Sequence, residues 1–106
     1  MNTCMIYATA SGLAEAENLA KILVSERLVA CVNILDGATS VYRWQDKVET
    51  SKESILIAKT SYARRDAAMA RLQELHSYDT PCIVAYDIAA GLPDYLAWIA
   101  SETEQD

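Results

Sequence analysis

Three stretches of the chain decide the fold: Ala30-Cys31-Val32-Asn33-Ile34, then Ser40-Val41-Tyr42-Arg43-Trp44, and later His76-Ser77-Tyr78-Asp79-Thr80-Pro81. Asp36-Gly37 separates the first two, and this dipeptide is typical of a β-hairpin turn because both of its residues tolerate positive φ. The pattern predicts a hairpin whose return strand places Tyr42 and Trp44 on one face. The third stretch predicts a helix end that turns, through Pro81, into a buried strand.

Apolar runs and helical spacing predict the other elements on either side of the hairpin. They are a strand over 3–9, a helix from about 11 to 27, a strand over 28–35 with its return over 39–44, a second and less favourable tight turn at 45–46, a strand over 47–59, a helix from 60 or 61 to 76, a strand over 82–86 and a short helix from Pro93.

This order is the split β-α-β, ferredoxin-like plan of an α+β domain. Both long helices must lie on the same side of an antiparallel sheet, because their crossovers share a hand. We therefore predict one domain over residues 1–106, a bare opposite side of the sheet, and a disordered acidic tail over 101–106.

Composition limits the functions that are open to the chain. It has 106 residues, of which 52% are hydrophobic, a formal net charge of −6 and three cysteines. The negative charge argues against a nucleic-acid partner, which needs clustered Lys and Arg. The cysteines form no CxxC pair, so we expect reduced thiols and a cytoplasmic location. Neither a signal-peptide pattern nor a membrane-spanning apolar run is present, so we expect no membrane partner.

The quoted stretches, in this order and near this spacing, resemble the CutA family of divalent-cation tolerance proteins. The resemblance covers nearly the whole chain. It implies a homotrimer in which long hairpins pair with neighbouring chains around a three-fold axis. It also implies a role in the cellular response to, or tolerance of, copper or other divalent cations.

Tyr42 and Trp44 are the candidate residues of the trimer interface. They lie in a hairpin far from either helix in sequence, among polar neighbours. The plainer interpretation places them inside the monomer, as most aromatic residues are. We favour the interface, where a well-packed aromatic residue contributes roughly 2 kcal/mol or more.

His76 and Cys82 are the candidate metal ligands. His76 is the only histidine and falls at a helix C-terminus, where the dipole favours a cation. Cys82 follows across a turn, and Cu(I) or Zn²⁺ accepts such a pair. The plainer interpretation makes His76 a helix cap and Cys82 a small apolar residue. Family metal binding has been linked to this His region and, in some members, to a first-strand Cys, where this chain has Ala8.

Lys59 and Thr60 resemble a Lys-Thr pair of the family and are candidates for a ligand cleft between subunits, since a helix start beside a lysine suits an anion. An exposed lysine and an N-cap are the plainer interpretation. Core packing is the default role of Cys31, since a strand interior is a poor setting for a reactive thiolate. The sequence leaves open a further role for Cys4, Cys31 and Cys82, and we predict no required cofactor. No nucleotide-binding pattern or nucleophilic triad is present, so we predict binding rather than catalysis. The alternative function is a trimeric sensor or scaffold, similar in plan to the PII signalling proteins, that binds a small ligand or a partner protein in the clefts between subunits.

Overall fold

A computed structural model describes residues 2–104 of the chain; Met1, Gln105 and Asp106 lie outside the described part. The chain forms four strands and three helices in that part. They are β1 (Thr3–Ala10), α1 (Leu13–Ser25), β2 (Cys31–Trp44), β3 (Lys47–Ser61), α2 (Tyr62–Leu75), β4 (Ile83–Asp87) and α3 (Pro93–Glu102).

The four strands form one antiparallel sheet in the order β2-β3-β1-β4. Alternate residues of β1 and β3 are buried against α1 and α2, which confirms that both long helices lie on one side. Successive strand residues point to opposite faces, so an apolar residue at every second position builds this core. Its members include Ile6, Ala8, Leu19, Leu23, Leu56, Ala58 and Leu72. The ferredoxin-like α+β plan predicted from the sequence is the observed one.

The opposite side of the sheet is only partly bare. α3 lies over one end of it, where the Tyr95 hydroxyl is 3.4 Å from Cys31 Sγ and the Ser61 and Thr103 hydroxyl oxygens lie 3.1 Å apart. Ile99 of α3 is fully buried. Beyond α3, the side chains of Tyr7, Leu35, Ile55, Ile57, Val84 and Tyr86 form what we term the open face.

The prediction of a hairpin turn at Asp36-Gly37 is wrong. β2 continues through it to Trp44, and the chain reverses at Gln45-Asp46, whose φ angles are +50° and +64°. Positive φ at both central residues of a two-residue loop is the geometry that suits a twisted hairpin. Asp36 and Gly37 instead form a β-bulge, in which two residues lie opposite Ser54.

Beyond the bulge, residues 38–53 project from the domain as a two-stranded ribbon that we term the arm. None of its residues is buried. The molecule therefore measures 44 × 25 × 21 Å.

The prediction of a disordered tail over 101–106 is wrong for the four residues that the structure describes. Ser101 and Glu102 belong to α3, and Thr103 is only 2% exposed. The Thr103 hydroxyl also donates to the Ile99 carbonyl at 2.9 Å, which stabilises the helix end. Residues 105 and 106 lie outside the described part. Among residues 2–104, no helix has the length and apolar character needed to cross a bilayer.

Candidate functional site

The arm presents two large aromatic side chains on one of its sides. Tyr42 is 43% exposed opposite Glu49, and Trp44 is 59% exposed opposite Lys47. Val41 and Arg43 alternate with them and point to the other side. The prediction that Tyr42 and Trp44 share a face is confirmed; their place in a trimer interface stays a prediction.

The aromatic side of the arm continues the open face of the sheet. Leu35 lies opposite Ile55, and after the bulge Ala38 lies opposite Glu53, two residues earlier on β3 and therefore on the same face. The open face itself leaves Leu35 50%, Val84 41% and Tyr86 55% exposed. Contiguous exposed apolar surface of this kind marks an interaction site in soluble proteins.

His76 lies at the C-terminal end of α2, and its side chain is fully buried. Its Nε2 is 2.7 Å from the Thr9 carbonyl, which only accepts, so Nε2 carries the proton and donates. Its Nδ1 accepts the Tyr78 N–H at 3.1 Å. Both ring nitrogens of a neutral imidazole are thereby satisfied, and the ring joins the end of β1 to the loop after α2.

Glu15 holds the same loop from α1. Its carboxylate accepts the Ser11 N–H and hydroxyl, each at 2.9 Å, and the Ser77 N–H at 2.9 Å. Burial would raise the pKa of Glu15, but the hydrogen bonds from Ser11 and Ser77 outweigh it and lower the pKa to about 2. The carboxylate also lies 4.0 Å from His76 Nδ1. We did not predict this role for Glu15 from the sequence, since Ser77 is 62 residues away.

Tyr78 extends this network to the base of the arm. Its hydroxyl donates to Glu53 Oε2 at 3.0 Å. Burial and this hydrogen bond raise the pKa of Tyr78 to about 12. Glu15, His76, Tyr78 and Glu53 thus link α1, α2 and β3 in one chain of contacts, which we term the latch.

The structure does not bring His76 and Cys82 together as a metal site. His76 has no free lone pair, because Tyr78 N–H occupies Nδ1. Cys82 is exposed rather than buried, and its carbonyl pairs with Thr9 N–H at 3.3 Å. Within residues 2–104, no three His, Cys, Asp or Glu side chains form a group that would hold a metal ion. This donor set therefore does not fit a metal within a single chain.

Lys59 and Thr60 have different surroundings, and the prediction that both line a cleft is wrong for Thr60. Thr60 is fully buried and donates its hydroxyl to the Leu28 carbonyl at 2.6 Å. Lys59 points to the opposite side of the sheet and is half-buried. Its ammonium group donates a hydrogen bond to Asn33 Oδ1. Only Lys59 remains accessible to a ligand.

The three cysteines are all free thiols. Cys4 is fully buried, and burial raises the pKa of its thiol. Cys31 is half-buried at the edge of the sheet, and the hydrogen bond that it shares with Tyr95 raises the pKa of that phenol. Cys82 is thus the most accessible soft donor of the three.

A four-stranded antiparallel sheet with two helices on one side and a long bulged hairpin defines this protein as a ferredoxin-like α+β domain with a projecting arm. Residues 4–102 match the model of the family described as CutA1 divalent ion tolerance protein. The chain therefore belongs to the CutA1 family.

Individual relatives agree with this assignment. The divalent-cation tolerance protein CutA of Thermus thermophilus is 46% identical over 88 residues, which cover 83% of this chain and 85% of that protein. The chloroplastic CutA 1 protein of Oryza sativa is 38% identical over 95% of this chain, and the match spans 57% of that protein. The crystal structure of CutA from Xylella fastidiosa has a TM-score of 0.96 at 43% identity and covers 98% of this chain and 100% of that chain.

Proposed function

We propose that this protein is a homotrimeric binding protein of divalent-cation tolerance that acts in the cytoplasm. The observation that carries the proposal is the surface made by the open face and the aromatic side of the arm, which no part of residues 2–104 covers. Burying exposed apolar area of this kind is the dominant favourable contribution to association. The tolerance role extends to this chain the function in the names of its relatives.

Charge is compatible with a second copy of the chain as the occupant of that surface. The arm carries Arg43, Lys47 and Lys52 against Asp46, Glu49 and Glu53, a net charge of 0. The net charge of −6 therefore lies outside the arm. A neutral arm docks on the acidic body of another copy without the like-charge repulsion that two acidic bodies would meet. Three-fold closure follows from the resemblance to the family.

The test of assembly is sedimentation equilibrium at micromolar protein, which reads mass independently of shape. We expect the mass of three chains. A folded solitary chain at that concentration would overturn the proposal, because the uncovered surface would then be stable in water.

Binding rather than catalysis is the second part of the proposal. Histidine is the side chain most often used for proton transfer near neutral pH. The one histidine of this chain is buried with both nitrogens engaged, which supports a structural role.

We also propose weak copper binding through Cys82, since an exposed thiol is the donor that soft Cu(I) prefers. Calorimetric titration with Cu(I) under reducing conditions should show weak binding that Cys82→Ser abolishes. Cys31→Ser is the matched control and should bind as wild type does, because Cys31 is half-buried and engaged with Tyr95. Equal binding by wild type and Cys82→Ser would contradict the assignment.

The alternative function, a sensor similar in plan to the PII proteins, now depends on Lys59 alone. Its ammonium group is held by Asn33 on the side of the sheet opposite α1 and α2, near α3, where an anionic ligand would compete for it. A thermal-shift screen of nucleotides and small anions tests this alternative, because a true ligand raises stability with its concentration. A shift seen in wild type and lost in Lys59→Met would support it.

A further inference from the structure

The β2–β3 hairpin contains two different pairing registers. Near the core, Leu35 lies opposite Ile55; in the arm, Ala38 lies opposite Glu53. Between these two pairs, β2 therefore advances by three residues and β3 by only two. The extra residue is absorbed at Asp36 and Gly37, which both face Ser54.

The arm register is set by the turn at its tip. Gln45 and Asp46 form a two-residue loop, which pairs Trp44 with Lys47. A hairpin that kept the core register to its tip would close with a three-residue loop over 44–46 instead. The bulge reconciles the short loop with the core pairing.

The consequence is a choice of face for the aromatic side chains. Because side chains alternate along a strand, a one-residue change of register moves every side chain to the other side. With the core register throughout, Tyr42 would lie opposite Val48 and point to the helix side of the sheet. In the observed register it lies opposite Glu49 and points to the side of the open face.

Two features hold the bulge in place. Gly37 has φ of +76°, which L-residues with side chains rarely adopt, even though a Cβ there would meet no other atom within 4 Å. Asp36 Oδ1 accepts the hydroxyl of Ser54 at 2.7 Å, and Ser54 is fully buried. The left-handed glycine and the part-buried hydrogen bond both lie at the junction of core and arm.

We propose that the Asp36-Gly37 bulge is a register adapter that directs Tyr42 and Trp44 to the docking side of the arm. The docking role rests on the assembly proposed above, with a second copy of this chain as the occupant. The bulge is then a specificity-determining part of the interface, although neither of its residues needs to touch the partner.

The first experiment exchanges the two sides of the arm without changing its composition. The variant V41Y/Y42V/R43W/W44R alters only exposed residues, so the domain core is retained. We expect its association constant to fall at least about 100-fold, as for the loss of two aromatic hot spots. Unchanged assembly would overturn the proposal. A monomeric wild type would instead overturn the proposed assembly, which distinguishes the two failures.

The second experiment separates register from bending, since bulges also bend strands. Deletion of Gly37 removes the extra residue but keeps the alternation, because Ala38 still lies opposite Glu53. We expect this variant to assemble like wild type. G37V keeps the extra residue and strains the bulge, so assembly should weaken about 10-fold or more.

Cross-strand NMR contacts read the register directly, whatever the assembly state. Wild type should show Tyr42 opposite Glu49, and G37V should shift towards Tyr42 opposite Val48. A folded Gly37 deletion that remains monomeric would mean that the bend matters and would overturn the register role. Retention of the wild-type pairing and full assembly in G37V would also overturn it.

Discussion

Leu56 and Val48 occupy the same strand and point to the same side of it, yet Leu56 is 2% exposed and Val48 is 68% exposed. The backbone ladder with β2 is continuous past both residues apart from the single bulge. What differs is the cover: α1 and α2 lie over Leu56, and no part of residues 2–104 lies over Val48. Within the chain, the arm is therefore held by its own β-ladder, whereas the core is held by the helices packed on it.

The largest effect should come from removing core packing. Leu56→Ala leaves a cavity under the helices, and we expect the free energy of unfolding to fall by about 2–5 kcal/mol. Val48→Ala, at the exposed residue of the pair, is the matched control and should change the free energy of unfolding by less than about 0.5 kcal/mol. Chemical denaturation of both variants measures the difference. Equal losses would show that the arm is packed in the folded protein.

The next effect should appear in association. Replacing Tyr42 and Trp44 together by Ala should weaken trimer formation by about 4 kcal/mol if both are hot spots. Val41→Ala, on the other side of the arm, should leave association unchanged. Sedimentation over a concentration series compares the three proteins. A trimer of undiminished affinity in the double variant would remove the arm from the interface.

A smaller effect is expected from the latch that joins the core to the base of the arm. His76→Ala leaves the Thr9 carbonyl and the Tyr78 N–H unpaired, which should cost about 1–3 kcal/mol of stability. Cys82→Ser is exposed and should cost less than about 0.5 kcal/mol. Thermal unfolding measures both. If His76→Ala instead abolished copper binding while leaving stability intact, the imidazole would be a metal ligand, and the structural role assigned to it in the latch would be wrong.

The smallest effect should be the pH dependence from Glu15. The pKa of Glu15 in the folded state, about 2, lies below the ordinary value of 4.5, so Glu15 contributes stability above pH 4.5 that is lost as the pH falls towards 2. Allowing for partial solvent screening, we expect about 1–2 kcal/mol. Glu15→Gln should be less stable than wild type at pH 7, and the difference should vanish near pH 2. A difference that does not change with pH would contradict the assignment.

The sequence predicts the element order well because that order depends on local signals. Helical spacing in α1 and the apolar runs of β1 and β4 identify these elements without knowledge of their neighbours. The handedness of the crossovers then places both helices on one side. The ferredoxin-like plan follows from these local facts and one chirality rule.

The position of the hairpin turn was wrong because local turn preference was outweighed by pairing. Asp36-Gly37 is the better turn sequence, but a reversal there would fold 39–44 back along 31–35 and leave residues 55–59 of β3 without β2 as their partner. The second predicted turn, at Gln45-Asp46, is the one that reverses the chain. The reversal at Gln45-Asp46, although it requires positive φ in two non-glycine residues, pairs both strands along their whole length.

The candidate site was predictable in its exposed part and unpredictable in its buried part. The alternation of Tyr42 and Trp44 with smaller or charged neighbours is visible in the sequence and gives their shared face. The surroundings of His76 depend on Thr9, 67 residues away, and those of Thr60 depend on Leu28, 32 residues away. Such contacts leave no local pattern, so the sequence alone could not distinguish a buried imidazole from a metal ligand.

The projecting arm also changes how a single chain would move through solution. The radius of gyration of the chain, 14.3 Å, exceeds the roughly 13 Å expected for a compact globule of this length. An elongated particle experiences more drag than a sphere of equal mass and would leave a gel-filtration column early. Elution volume alone would therefore mistake one chain for a larger species, and light scattering is the appropriate companion measurement.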